Sequence, residues 1–89
     1  MMKIELSAKF RKAYRKLAIR RPEVAVIALE KILLFSQQPN NPVLKFHKLQ
    51  GEYNGQYSFS VEYDIRIIVD LVDSDTAVLT MIRSHDEVY

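Results

Sequence analysis

The apolar positions of this chain change their period along its length, and the changes divide it into elements. Residues 2–6 read as a short strand. Leu6, Phe10, Ala13, Tyr14 and Leu17 then recur at intervals of three and four, the spacing of one helical face. Basic residues fill the opposite side, and Ser7 is placed to cap the first turn by accepting from its free backbone N–H groups. This amphipathic helix ends near Arg20. Pro22 suits the first turn of a second helix, where its missing N–H costs nothing. That helix, Val24 through Phe35, is apolar on most sides, so more than one face needs a cover. The first helix, a sheet and a partner protein are the available covers. The join at Arg20-Arg21-Pro22 predicts an antiparallel helical hairpin.

Gln37-Gln38-Pro39-Asn40-Asn41-Pro42 is a loop signal. Val43 through Gly55 carries two glycines, two lysines and a histidine with no clear period. A period of two then sets in. Tyr57 to Tyr63 alternates, with Phe59, Val61 and Tyr63 on one face and Ser58, Ser60 and Glu62 on the other. Asp64-Ile65 reads as a tight turn. Arg66 to Val72 is a second strand, with Ile67, Val69 and Leu71 inward and Arg66 and Asp70 outward. Asp73-Ser74-Asp75 turns again, and Thr76 to Ser84 is the third strand. Short turns make these three an antiparallel meander. The order β-α-α-β-β-β predicts an α+β fold, a helical hairpin packed on one face of a curved, mainly antiparallel sheet.

Composition narrows the class. The 89 residues predict a single domain, 1–89, with a small core. Apolar residues make up 48% and charged residues 27%, the balance of a folded protein rather than a disordered one. Cysteine is absent, which excludes disulfides and thiolate metal sites and makes the cytoplasm the expected compartment. The first residues are too short and too polar for a signal peptide. The longest apolar run, Val24 to Leu29, is far shorter than the roughly 20 residues that span a bilayer, so no membrane partner is expected.

Net charge is only +2, yet the charge is segregated. Lys9, Arg11, Lys12, Arg15, Lys16, Arg20 and Arg21 lie together with no acid among them. From Glu52 onward, acids are set against Arg66 and Arg83 alone. Such a cluster is either a footprint for a polyanion or a solvated helix face. The last stretch, Met81 to Tyr89, runs from an apolar strand into Arg83, His85, Asp86, Glu87 and Tyr89. Guanidinium, imidazole and phenol groups in one segment can grip and protonate a phosphodiester.

Phe10-Arg11-Lys12-Ala13-Tyr14-Arg15-Lys16-Leu17 resembles the F-x-K-x-Y/F-K-K-L helix of the RelE/ParE toxin superfamily. His47-Lys48-Leu49-Gln50-Gly51 is similar to its H/K-x-L-x-G segment. Tyr57 stands where those proteins often have tryptophan. Tyr63-Asp64-Ile65-Arg66-Ile67-Ile68-Val69 resembles its D-x-R-x-I/V-I/V hairpin, and Ser84-His85-Asp86-Glu87-Val88-Tyr89 resembles the ending of the RelE-like and YafQ-like branches. The resemblance covers essentially the whole chain. It implies a prokaryotic, cytoplasmic toxin of a type II toxin–antitoxin pair that cuts mRNA in the ribosomal A site with side chains and no cofactor or metal. A cognate antitoxin would wrap and block it.

Such a cleavage is an in-line attack of a ribose 2′-hydroxyl on the adjacent phosphate. It needs a base, an acid and cations for the transition-state charge. The resemblance implies His85 as the proton donor and His47 as a base. It also matches Asp64 to a functional aspartate, Arg83 to a phosphate-gripping arginine and Tyr89 to a terminal tyrosine that stacks or binds phosphate. Arg66 is a second candidate for a bidentate phosphate grip, and Lys45 and Lys48 add positive potential. Structural alternatives stand beside these roles. His85 can be a surface histidine and His47 a loop histidine beside Phe46. Asp64 is a good turn former, and Arg66 can pair across strands with Glu62 or Asp70. One departure is Ser60, which stands where YafQ-like proteins carry a further histidine. Arg11, Arg15, Leu29 and Leu33 are candidates for holding the antitoxin. The rival readings are a ParE-like poison of DNA gyrase and a catalytically inactive binding relative.

Overall fold

The computed structural model describes residues 1–50 and 55–84. In chain order, β1 (Lys3–Leu6) leads to α1 (Ala8–Arg20) and α2 (Pro22–Gln37). A single 3-10 turn, Pro42–Leu44, precedes a two-residue strand β2 (His47–Lys48). The meander is β3 (Tyr57–Glu62), β4 (Ile65–Leu71) and β5 (Thr76–Ser84). Among the described residues one sheet forms, in the order β1-β5-β4-β3-β2. All its neighbours are antiparallel except β1 with β5. The α+β arrangement expected from the periodicity is present, with one strand more. Two residues are too few to display a period, so β2 left no pattern to read. Its pairing of His47 with Ser58 and Lys48 with Tyr57 creates it.

The helix caps follow the local sequence. Ser7 Oγ accepts from Phe10 N at 3.0 Å. The same hydroxyl donates to the Thr80 carbonyl, and Ser7 N bonds the Leu79 carbonyl, so the cap is also stitched to β5. Pro22 opens α2 one residue after α1 ends. Both helices pack on one face of the sheet. Phe10, Val24, Ala28 and Phe35 meet Phe59, Val61, Ile65, Ile67, Val69, Ala77, Leu79 and Ile82 there. Phe35 and Phe59 stack with ring centroids 4.6 Å apart at the centre.

Two β-bulges correct the expected inward positions. The register of β3 on β4 shifts between Ser60 and Glu62, so the strand ends early and the turn is Tyr63–Asp64 rather than Asp64–Ile65. Tyr63, expected inward, is 99% exposed in that turn, while Ile65 opens β4 and is buried. Leu71, also expected inward, is exposed at the end of β4, beyond the last residue that pairs with β3. The second helix is covered less than its composition demands. Val24, Ala25, Ala28 and Phe35 are buried, but Val26, Leu29 and Leu33 stay exposed along one ridge. No helix among the described residues is long and apolar enough to cross a membrane.

Candidate functional site

Alternation along the meander puts the residues that do not face the helices on the opposite side of the sheet. Register then assigns them to rows. Ser60, Arg66 and Arg83 form one row, since Ser60 pairs with Arg66 and Arg66 with Arg83. His47, Ser58, Ile68 and Met81 form the next. The Thr80 bulge makes this possible by resetting the parity of β5, so that Met81 and Arg83 share the face of Arg66 while Ile82 turns into the core.

Arg66 and Arg83 are therefore direct cross-strand neighbours, a position where like charges repel. Neither acid expected to neutralise Arg66 does so. Glu62 approaches Arg21, Oε2 to Nη2 at 4.0 Å, and Asp70 accepts from Gln56 Nε2 at 3.2 Å. Among the described residues Arg66 makes no salt bridge. Two arginines paired across neighbouring strands, with no salt bridge to Arg66 among the described residues, form a site suited to a phosphate.

Standard sheet spacing puts the Cα of His47 roughly 12 Å from that of Arg66, two strands across and one step along. Both side chains are long enough to approach one bound dinucleotide. The ring of His47 is held by its own loop, with Nδ1 2.8 Å from the Lys45 carbonyl. A carbonyl only accepts, so Nδ1 carries the proton and Nε2 of the neutral ring keeps its lone pair. Lys45 adopts left-handed backbone angles, φ 50 and ψ 41. For a residue with a Cβ this costs roughly 1–2 kcal/mol. Lys45 and Lys48 are exposed on either side of His47. Asp64 lies in the turn beyond the arginine row, on the side away from His47. The row of Ser60 and Arg66 therefore runs between Asp64 and His47. His85 and Tyr89 lie outside the described residues.

Ser60 shares the arginine row, and its hydroxyl donates to the Glu62 carbonyl at 3.1 Å across the bulge. It serves the backbone there. Ser58, beside His47, is fully buried, and its hydroxyl has no hydrogen-bond partner among the described residues. The alternation sets Ser58 on the face opposite Phe59 and Val61, and the structure buries it there.

A cleft of about 410 Å³ extends from this row around the edge of β5 to α1. Lys9, Lys12, Lys16 and Arg20 line one wall, and Met81, Ile82, Arg83 and Ser84 the other, over a floor that includes Ala13, Leu17 and Ile65. No acid lines it. The basic helix face noted in the sequence is thereby split in two. These four cations turn toward β5, whereas Arg11 and Arg15 project from another exposed part of α1. Burial pushes the pKa of the Tyr14 phenol up, and its hydroxyl donates to the Ala25 carbonyl at 2.8 Å.

Comparison with known proteins agrees with this fold. No protein-family model matches the chain, and no curated protein matches it. Solved structures do. A copper-bound mutant toxin from Helicobacter pylori is 26% identical over the whole of both chains, with a TM-score of 0.78. YafQ from Escherichia coli strain BL21(DE3) is 24% identical over 100% of this chain and 99% of its own, with a TM-score of 0.79. A complex of DinJ with YafQ from E. coli contains a chain 23% identical, at a TM-score of 0.72. The copper of the first neighbour finds no group of three His, Asp or Glu ligands among the described residues here.

Proposed function

We propose that this chain, which belongs to the RelE/ParE-like toxin superfamily, is the toxin of a type II toxin–antitoxin pair and an endoribonuclease that cuts mRNA in the ribosomal A site. The observation that carries the nuclease reading is the Arg66–Arg83 pair, cross-strand neighbours on the sheet face opposite the helices, with His47 in the adjoining row. The guanidiniums grip the scissile phosphate and neutralise the charge that grows on it during in-line attack. His47 takes the proton of the 2′-hydroxyl through Nε2. His85 protonates the departing 5′ oxygen, and Tyr89 stacks on a base or holds a phosphate. Those last two roles rest on the resemblance. Asp64 lies across the arginine row from His47, so its part in the proton chemistry rests on the resemblance.

Lys45 and Lys48, and the cations of the α1 cleft, supply the field that draws a polyanion to the site. The same basic, apolar-floored cleft and the exposed ridge of Leu29 and Leu33, with Arg11 and Arg15, suit an acidic amphipathic segment of an antitoxin. The partner of YafQ in its complex with DinJ supports the expectation of such a protein.

Induced expression of wild type, His85→Ala and Arg66→Ala in cells, with mapping of new mRNA ends, tests the reading. Wild type creates new ends in translated messages and arrests growth. Both variants abolish the ends while remaining folded. Growth arrest with intact messages and gyrase trapped on DNA replaces the nuclease by a ParE-like poison. Arrest by neither route, with antitoxin binding retained, leaves an inactive relative, consistent with Ser60 spending its hydroxyl on the Glu62 carbonyl.

A further inference from the structure

We propose that Lys45 is a positioning residue whose left-handed backbone, rather than its charge, sets which nitrogen of His47 reacts. The inference rests on the reading of His47 as a base and adds the device that makes it one. Three observations meet at this turn. Asn41 caps it, with Oδ1 accepting from Val43 N at 3.0 Å and its carbonyl accepting from Leu44 N. Lys45 closes it with a bond from its own N–H to the Pro42 carbonyl at 3.2 Å. The residues on either side are then committed to the core. Leu44 is fully buried, and Phe46 packs between Phe35 and Tyr57, with ring centroids 5.1 and 5.2 Å away.

Between those anchors the chain must reverse from the 3-10 turn into β2 in one residue, and Lys45 does so at φ 50. Only a few per cent of residues other than glycine adopt such angles, and lysine has no short side chain to ease them. The reversal aims the Lys45 carbonyl at the ring of His47. In water the free imidazole favours neither nitrogen strongly. Here the carbonyl selects the tautomer with the proton on Nδ1 and leaves the Nε2 lone pair available. Strained backbone beside a functional side chain is where such pre-organisation is expected.

The lysine charge and the backbone role separate by substitution. Lys45→Gly removes the charge but favours the same left-handed angles. Lys45→Val also removes the charge, and its branched Cβ disfavours them. Lys45→Thr is a second branched variant should the valine protein fail to fold. The readout is the His47 tautomer, taken from ring 15N chemical shifts in alkaline solution without RNA, beside the rate of RNA cleavage. Wild type and Lys45→Gly are expected to show the Nδ1–H form. The branched variants are expected to move toward the Nε2–H form and to cleave about tenfold or more slowly than the glycine variant, since the wrong tautomer presents a proton where a lone pair is needed. An Nε2–H ring in wild type, or an unchanged tautomer in folded Val or Thr variants, overturns the proposal whatever the activity. A tautomer that switches while cleavage stays level keeps Lys45 as the determinant of the ring and removes His47 from the role of base.

Discussion

The two faces of the sheet obey different rules. On the helix face the buried cluster is apolar, and the stack of Phe35 on Phe59 sits at its centre. On the opposite face two arginines oppose each other and a serine hydroxyl is buried with no partner among the described residues, and in the loop feeding the edge strand a lysine holds left-handed angles. Each of these three features costs stability in isolation. Costs gathered on one face, and absent from the other, are the mark of a surface shaped by what it binds. The inner face explains why the protein folds. The outer face holds groups that folding alone would not select.

That contrast breaks most visibly on the core side. Phe59→Ala removes a fully buried ring from the central stack and leaves a cavity. Urea unfolding is expected to show a loss of about 3–5 kcal/mol, a large part of the stability of so small a domain. Arg66→Ala is the counterpart on the outer face. Removing one of two opposed guanidiniums is expected to leave the urea midpoint unchanged or slightly raised. RNA cleavage is expected to fall about 10²-fold, the usual loss when one transition-state charge donor is removed. Lys restores charge without the bidentate fork, so Arg66→Lys falls between the two. A variant at Arg66 that unfolds more easily and cleaves normally would erase the distinction between the faces.

The inner face was legible in advance because a repeated period encodes it. Phe10, Ala13, Tyr14 and Leu17 announce a helix, and Phe59, Val61, Ile67 and Val69 announce strands. Where the period breaks, reading fails for a physical reason. A bulge inserts one residue, so Tyr63 slipped into the turn and Ile65 into the core. The bulge at Thr80 is as silent in sequence, yet it decides that Arg83 faces Arg66. Motif resemblance singled out His47, Arg66 and Arg83 as residues of interest. Their shared face follows from register, which no local pattern carries. The strain at Lys45 was equally invisible, since nothing about a lysine predicts left-handed angles. It arises because Leu44 and Phe46 are both drawn into the core.

Ser58 gives a smaller and sharper test. An orphaned buried hydroxyl lowers stability, so Ser58→Ala is expected to raise it by about 1–2 kcal/mol in urea titrations. A mutation to alanine that stabilises a buried position is uncommon. A loss of stability instead would mean that the hydroxyl is satisfied in solution and that this face carries one cost fewer than the geometry assigns to it.

Tyr14 is the mirror case, a polar group on the helix side that is fully served. Its phenol donates to the Ala25 carbonyl at the start of α2. Tyr14→Phe is therefore expected to destabilise by about 1 kcal/mol at neutral pH, opposite in sign to Ser58→Ala. The pH dependence follows from the direction of its shift. Burial raises the phenol's pKa in the folded protein above its ordinary value of 10.0. As pH climbs past that value the unfolded chain gives up this proton first. The unfolded state then binds fewer protons than the folded one, and stability falls until the raised folded pKa is passed. Below the ordinary value the contribution is complete. In Tyr14→Phe this part of the alkaline decline is missing, so the two stability curves converge above about pH 10. Curves that stay parallel through that range would show the Tyr14 phenolate to be no worse solvated in the folded protein than in the unfolded chain. The contrast of a served hydroxyl under the helices with an unserved one across the sheet would then rest on Ser58 alone.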